Sequence, residues 1–187
     1  FLIFSRALSS TNAITWTAVA DYSEMSRRAA ERIFDVIREA VNCKQPVNIG
    51  LATGNTMLRL YALLAEKLNA ARLDLSRLRT FNLDEYYGVG MNLNKPYHED
   101  QSYARFMHEE LLKHINIKNK NIHVPDGLSL EPEKLCARYE QEIIKAGGID
   151  LQLLGIGGDG HWAFNEPGSS LESRTRIQPL TQQTLDD

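Results

Sequence analysis

The sequence predicts an α/β protein on a Rossmann-like open, mostly parallel sheet with helices on both faces. Three observations predict it. Strand and helix candidates alternate along the chain, and the strands are continuous apolar runs, as in sheets covered on both sides. The stretches dense in acid, imidazole and glycine fall just past strand carboxyl ends, where open α/β sheets place their ligands. With 187 residues and no internal repeat, low-complexity segment or linker, the chain reads as a single domain over 1–187.

Taken in order, the opening Phe1-Leu2-Ile3-Phe4 is too short for a signal-peptide core and has no basic residue before it. Ile14 to Val19 mixes β-branched and aromatic residues and predicts a strand. Asp21 with Glu24 resembles a capping box, and Met25, Ala29, Ile33, Val36, Ile37 and Ala40 carry a helix to about Asn42. Val47 to Ala52 is the next strand, and Thr53-Gly54-Asn55-Thr56 turns it into a helix bearing Met57, Leu60, Leu64 and Leu68 on one face. A strand over Leu78 to Leu83 ends in Asp84-Glu85. The polar loop from Val89 to Asp100 reads as a surface excursion, and Gln101 to His114 as a helix. Asn121 to Val124 predicts a short strand, Ser129 a helix cap with Pro132 in the first turn, and Gly147-Gly148 the helix's left-handed end. The last strand lies in Ile149 to Ile156.

The 21 basic and 24 acidic residues give a net charge of −3 without any block of like charge. This argues against nucleic acid and membrane surfaces as partners and leaves an anionic ligand to local devices. Cys43 and Cys136 match no metal spacing and read as reduced, partly buried thiols. No apolar run approaches a membrane span, so a cytoplasmic protein is expected. The missing initiator methionine, and the stop at Leu185-Asp186-Asp187 after a polar run, predict a chain incomplete at its carboxyl end.

The loop Thr53-Gly54-Asn55-Thr56 stands between a strand and a helix start, which suits a phosphate cradle and equally an ordinary glycine N-cap turn. Gly155-Ile156-Gly157-Gly158-Asp159-Gly160 matches a dinucleotide fingerprint formally, but Asp159, His161 and Pro167 intrude where a helix must start. Asp159, His161 and Glu166 instead suggest a relay in which a carboxylate fixes the imidazole tautomer and a second adjusts its basicity. A metal site and a structural Asp–His pair are the rival readings; no metal is expected. Asp84-Glu85 adds a carboxylate pair, although most such pairs are loop charges or caps.

With these pieces in order the chain resembles the glucosamine-6-phosphate deaminase (isomerase) family, a branch of the group that also holds 6-phosphogluconolactonases. The resemblance covers about Tyr22 to Thr184. It rests on Thr53 to Thr56, Thr80 to Tyr86, Ser102-Tyr103 with Phe106-Met107, Gly157 to His161 with Phe164 to Pro167, and Ser169 to Arg176. It implies conversion of glucosamine 6-phosphate and water to fructose 6-phosphate and ammonia, with no cofactor. His161 would open the sugar ring with Asp159 and Glu166 as its relay, Asp84 would move the proton between C2 and C1, and Thr53, Gly54, Asn55 and Thr56 would hold the phosphate. Ser169, Ser170 and Arg176 match a segment that houses an allosteric phosphate site in some members. Lactone hydrolysis and a sugar-phosphate-binding regulatory module are the alternatives. Phe164 to Pro167 and Asn82 to Tyr86 favour the deaminase, because lactone hydrolysis needs neither a carbon-acid base nor a third relay acid. The chain departs from the family at Asn55, Met57 and Trp162, which points to a related epimer such as galactosamine 6-phosphate, and Gln178 stands where the resemblance expects a lysine, which argues against allosteric regulation. The family's remaining phosphate-binding Arg and Lys would lie beyond Asp187. Members differ in oligomeric state, which leaves a homo-oligomer open.

Overall fold

The computed structural model describes residues 2–5, 15–89, 101–182 and 184, the first four by their backbone. Among the described residues, five strands and four α-helices follow one another as β1 (Leu2–Ser5), α1 (Tyr22–Asn42), β2 (Val47–Leu51), α2 (Leu58–Ala70), β3 (Leu78–Asn82), α3 (Tyr103–Glu110), β4 (Ile122–His123), α4 (Pro132–Ala146) and β5 (Leu151–Leu154). The sheet order is β1-β5-β2-β3-β4. All neighbours are parallel except β1, which runs antiparallel to β5 with Leu2 opposite Leu154 and Ser5 opposite Leu151. From β2 the chain steps to β3 and β4 on one side and returns to β5 on the other. This reversal opens a crevice at the strands' carboxyl ends.

The two faces of the sheet differ. Val47, Ile49 and Leu51 of β2, with Leu78, Leu151 and Leu153, pack into a core with Ile33 and Ile37 of α1, Leu60 and Leu64 of α2, and Met107 of α3. The other face takes the alternate residues. There Asn48 donates to the carbonyls of Ala146 and Gly148 at the end of α4 at 2.9 and 2.7 Å, and Phe81 packs edge-on to Tyr139 of α4. At Gly50 a Cβ would stand 1.9 Å from the Gln152 amide oxygen, so glycine alone admits that side chain between the strands.

Several sequence expectations are corrected. Residues 15–19 take no regular form and Trp16 is 81% exposed; Ile14 lies outside the described residues. A β-type pattern without a strand to pair with stays unpaired. The N-terminal strand is instead Leu2–Ser5. The box at Asp21 is half made: Asp21 Oδ1 accepts from Glu24 N at 2.8 Å, but the Glu24 carboxylate turns to Arg27 and Arg28. Helix α3 stops at Glu110, and Leu112–His114 forms a 3-10 turn. The residue preceding α4 is Glu131, whose N–H is bound by Ser129 Oγ at 3.3 Å, so Ser129 caps a turn rather than the helix. Gly147 ends α4 with φ 98°, the left-handed conformation expected there. Cys43 is exposed, not partly buried; Cys136 is half-buried, and both are free thiols. The excursion from Val89 to Asp100 lies, beyond Val89 itself, outside the described residues. No described helix is long and apolar enough to cross a membrane.

Candidate active site

Loops leaving β2, β3 and β5 meet over a cleft of about 520 Å3, lined among others by Thr53, Gly54, Thr56, Asp84, Tyr103 and His161. The β2 loop reaches this place because Gly54, with φ 111°, reverses the chain between strand and helix. The N–H groups at the start of α2 are taken up locally: Met57 N donates to the Gly54 carbonyl at 2.9 Å, Leu58 N to the Asn55 carbonyl and Arg59 N to the Tyr22 hydroxyl at 3.4 Å. Tyr22 of α1 steadies the loop from outside, its hydroxyl donating to the carbonyl of Thr56 at 3.2 Å. Asn55 is not part of the cleft lining. Met57, one of the departures from the family pattern, is buried in the core, and a Cβ on Gly155 would meet its Cε at 3.4 Å. That departure therefore serves packing between the β2 and β5 loops.

Past β3, two adjacent carboxylates have opposite surroundings. Asp84 stands at the junction of this cleft with a second one that runs toward Arg176. Burial and the neighbouring charge of Glu85 push its carboxyl up to about 7, against a smaller lowering by the Phe164 N–H. Glu85 faces away and docks on the amino end of α3. It accepts from Ser102 Oγ at 2.8 Å, from Tyr103 N and Ala104 N at 2.9 Å each, and from its neighbour Tyr86 N at 2.9 Å. Sequence reasoning did not find this role, for the serine that completes it lies 17 residues away.

Past β5, Gly160 with φ 90° tightens the loop, and Gly157 N donates to the His161 carbonyl at 2.9 Å. The imidazole then lies over Gly157, where a Cβ would stand 2.4 Å from the ring. His161 Nδ1 is 2.6 Å from Asp159 Oδ1, which also accepts from His161 N at 3.1 Å. An Nδ1–H given to Asp159 leaves Nε2 as the ring's lone-pair nitrogen. The hydrogen bond from the His161 N–H, then the one from its ring, hold the Asp159 carboxyl below its ordinary value, against some desolvation. Glu166 is buried, and its carboxylate accepts from Thr181 N at 3.0 Å and from Thr181 Oγ1 at 3.4 Å; the Thr181 N–H, first of several donors, lowers its pKa. The structure thus makes an Asp159–His161 pair with a third carboxylate close by, because Thr181 takes the bonds of Glu166. The ligand atoms of all three lie within 4.8 Å of one another, a spacing that could also hold a cation.

Tyr86, Tyr103 and Phe164 form an aromatic wall beside Asp84, with ring centroids 5.0 to 5.6 Å apart. The Tyr103 hydroxyl is 3.3 Å from that of Tyr86, and Tyr103 lines the same cleft as Thr53. Beneath the cleft, Thr80 Oγ1 and the Asn82 amide are buried without a hydrogen-bond partner among the described residues. Arg176 spans from Asn165 Oδ1 at 3.1 Å to Ser169 Oγ at 3.0 Å, while Ser170 Oγ accepts from Glu172 N at 3.1 Å. Trp162 faces a shallow cup shared with Glu166, Ser169 and Ser170, not the main cleft. Its bulk therefore does not crowd the cleft that holds Asp84.

The family model described as glucosamine-6-phosphate isomerases/6-phosphogluconolactonase matches residues 20–181. The chain belongs to this family. Within the family, a glucosamine-6-phosphate deaminase of Thermoanaerobacter sp. (strain X514) is 45% identical over 165 residues, covering 88% of this chain and 61% of that protein. Among solved structures, a monomeric glucosamine-6-phosphate deaminase is similar with a TM-score of 0.79 and 37% identity, over 90% of this chain and 66% of its own. A 6-phosphogluconolactonase from Thermotoga maritima is similar with a TM-score of 0.60 and 30% identity, over 79% of this chain and 64% of its own. The chain spans about three fifths of the length of the curated family members it matches.

Proposed function

We propose that the protein converts glucosamine 6-phosphate and water to fructose 6-phosphate and ammonia. The observation that carries this reading is Asp84, a carboxyl pushed up to about 7 on the cleft that also holds His161. A general base works best when its pKa lies near the working pH, and moving a proton between carbon atoms needs such a base. The sugar phosphate would sit with its phosphate on Thr53, Gly54 and Thr56. His161, oriented by Asp159, takes the anomeric hydroxyl proton and returns one to the ring oxygen. Asp84 removes the C2 proton while the substrate's ammonium gives one to the C1 oxygen, forming an enolamine; Asp84 then delivers its proton to C1, leaving an iminium at C2. Water adds there and ammonia leaves.

Curated relatives at 45% and 44% identity bear the name of this activity, which supports the reading. Glu166 belongs to it as a carboxylate near the imidazole. Ser169 and Arg176, already in contact, are candidates for holding a second, regulatory phosphate together with Ser170, and the cytoplasm is the compartment the reading implies. Release of ammonia and ketose, measured in parallel with glucosamine 6-phosphate, galactosamine 6-phosphate and 6-phosphogluconolactone, tests it. Ammonia from the first sugar is expected; lactone hydrolysis without ammonia overturns the reading.

A further inference from the structure

Asp84 and Glu85 are adjacent, yet among the described residues every polar contact of the Glu85 carboxylate is to backbone or hydroxyl donors. Three of its four donors belong to the first turn of α3 and its cap: Ser102 Oγ, Tyr103 N and Ala104 N. A helix start of eight residues attracts a carboxylate, but Ser102 already caps it, its Oγ accepting from Arg105 N at 3.3 Å. Ser102 leaves the Tyr103 and Ala104 N–H groups without a partner inside the helix, and Glu85 takes both. The four bonds pin both Glu85 oxygens, and with them the backbone from which Asp84 projects. They also fix how far the Glu85 charge stands from the Asp84 carboxyl.

We propose that Glu85 is a positioning residue for Asp84, its carboxylate docked on α3 fixing both where the Asp84 carboxyl stands and the field it feels. The inference deepens the reading of Asp84 as the proton carrier and rests on it. The other groups that face Asp84 are Tyr86 of its own loop, Tyr103 of α3, Tyr139 of α4 and His161 across the cleft. Along the second cleft stand Asp126, Glu140, Arg174 and Arg176. Glu140 is engaged by Thr175 and Arg174, and Arg176 by Asn165 and Ser169. Glu85 is the neighbour whose charge raises Asp84 most after burial itself.

The test is a carbon-detected NMR titration of the Asp84 side-chain carboxyl in the wild type, Glu85→Gln and Glu85→Asp, paired with pH profiles of turnover. Glu85→Gln keeps the shape and an acceptor oxygen but loses the charge. Its Asp84 midpoint should fall by roughly one pH unit, the size of a screened like-charge effect, and the acidic limb of turnover should move with it. Glu85→Asp keeps the charge and should leave the midpoint near the wild-type value while kcat falls and KM holds. An Asp84 midpoint unmoved in folded Glu85→Gln overturns the proposal and leaves Glu85 a helix cap. Should Glu85→Gln not fold, a Glu85→Asp midpoint in the ordinary aspartate range overturns it equally. The titration needs no turnover, so it decides Glu85 even if Asp84→Asn shows that Asp84 carries no proton.

Discussion

Asp84 and Asp159 each stand just past the carboxyl end of a parallel strand, and each belongs to a short acidic motif, yet their surroundings drive them in opposite directions. Asp84 is raised by burial and by a like charge next door; Asp159 is lowered by the N–H and ring of His161. One carboxyl is poised to exchange a proton near neutrality, and the other is kept as an anion that orients an imidazole. The lesson is that position at a strand end offers a site, but the donors within reach decide the role.

The largest expected effect comes from removing the poised member. Asp84→Asn should lower turnover by about 1,000-fold or more while binding of a sugar-phosphate analogue, measured by calorimetry, changes little. Full activity in that variant would end the comparison. The same substitution gives a stability signature with a definite sign. A raised carboxyl favours the protonated fold, so wild-type stability falls as pH climbs from the ordinary value of 3.8 toward about 7. Thermal unfolding of Asp84→Asn should lack that decline. Asp159 has the opposite sign: its contribution is present above 3.8 and is lost as pH falls below it.

Next in size, Asp159→Asn should cost about 100-fold in turnover, because the amide can hold the wrong ring tautomer, with a smaller change in KM. Gly157→Ala should cost about tenfold, since its Cβ displaces the imidazole from over the glycine. An unperturbed His161 ring signal in that variant would contradict the close contact. The smallest effect is expected for Thr181→Val. It removes the longer of the two bonds to Glu166, with the Thr181 Oγ1 contacts to Thr184, and keeps the backbone one, so the unfolding temperature should barely move.

Much of this contrast was legible in the chain. The apolar runs of β2 and β5, the glycine turn at 147 and the acid–imidazole loop follow from local chemistry, and they place Thr53, Asp84 and His161 on one crevice. The separate fates of Asp84 and Glu85 were not legible, because a doublet does not say which member meets a helix start distant in sequence. The partner of Glu166 was hidden likewise, since Thr181 looks like any residue of a polar run. The first strand was misplaced for a related reason: Ile14 to Val19 has the composition of a strand, but pairing with β5 falls to Leu2–Ser5. Signals confined to one element survived; those that required knowing its neighbour did not.

The close approach at Gly50 bears on how such a chain can change over generations. Because the Gln152 side chain occupies the volume of a missing methyl, neither position is free to drift alone. An alanine at 50 would be harmful with Gln152 present and tolerable once a smaller residue had arrived at 152. The two sites thus form an ordered pair of mutational steps, and homologues bearing a side chain at 50 should carry a shorter one at 152.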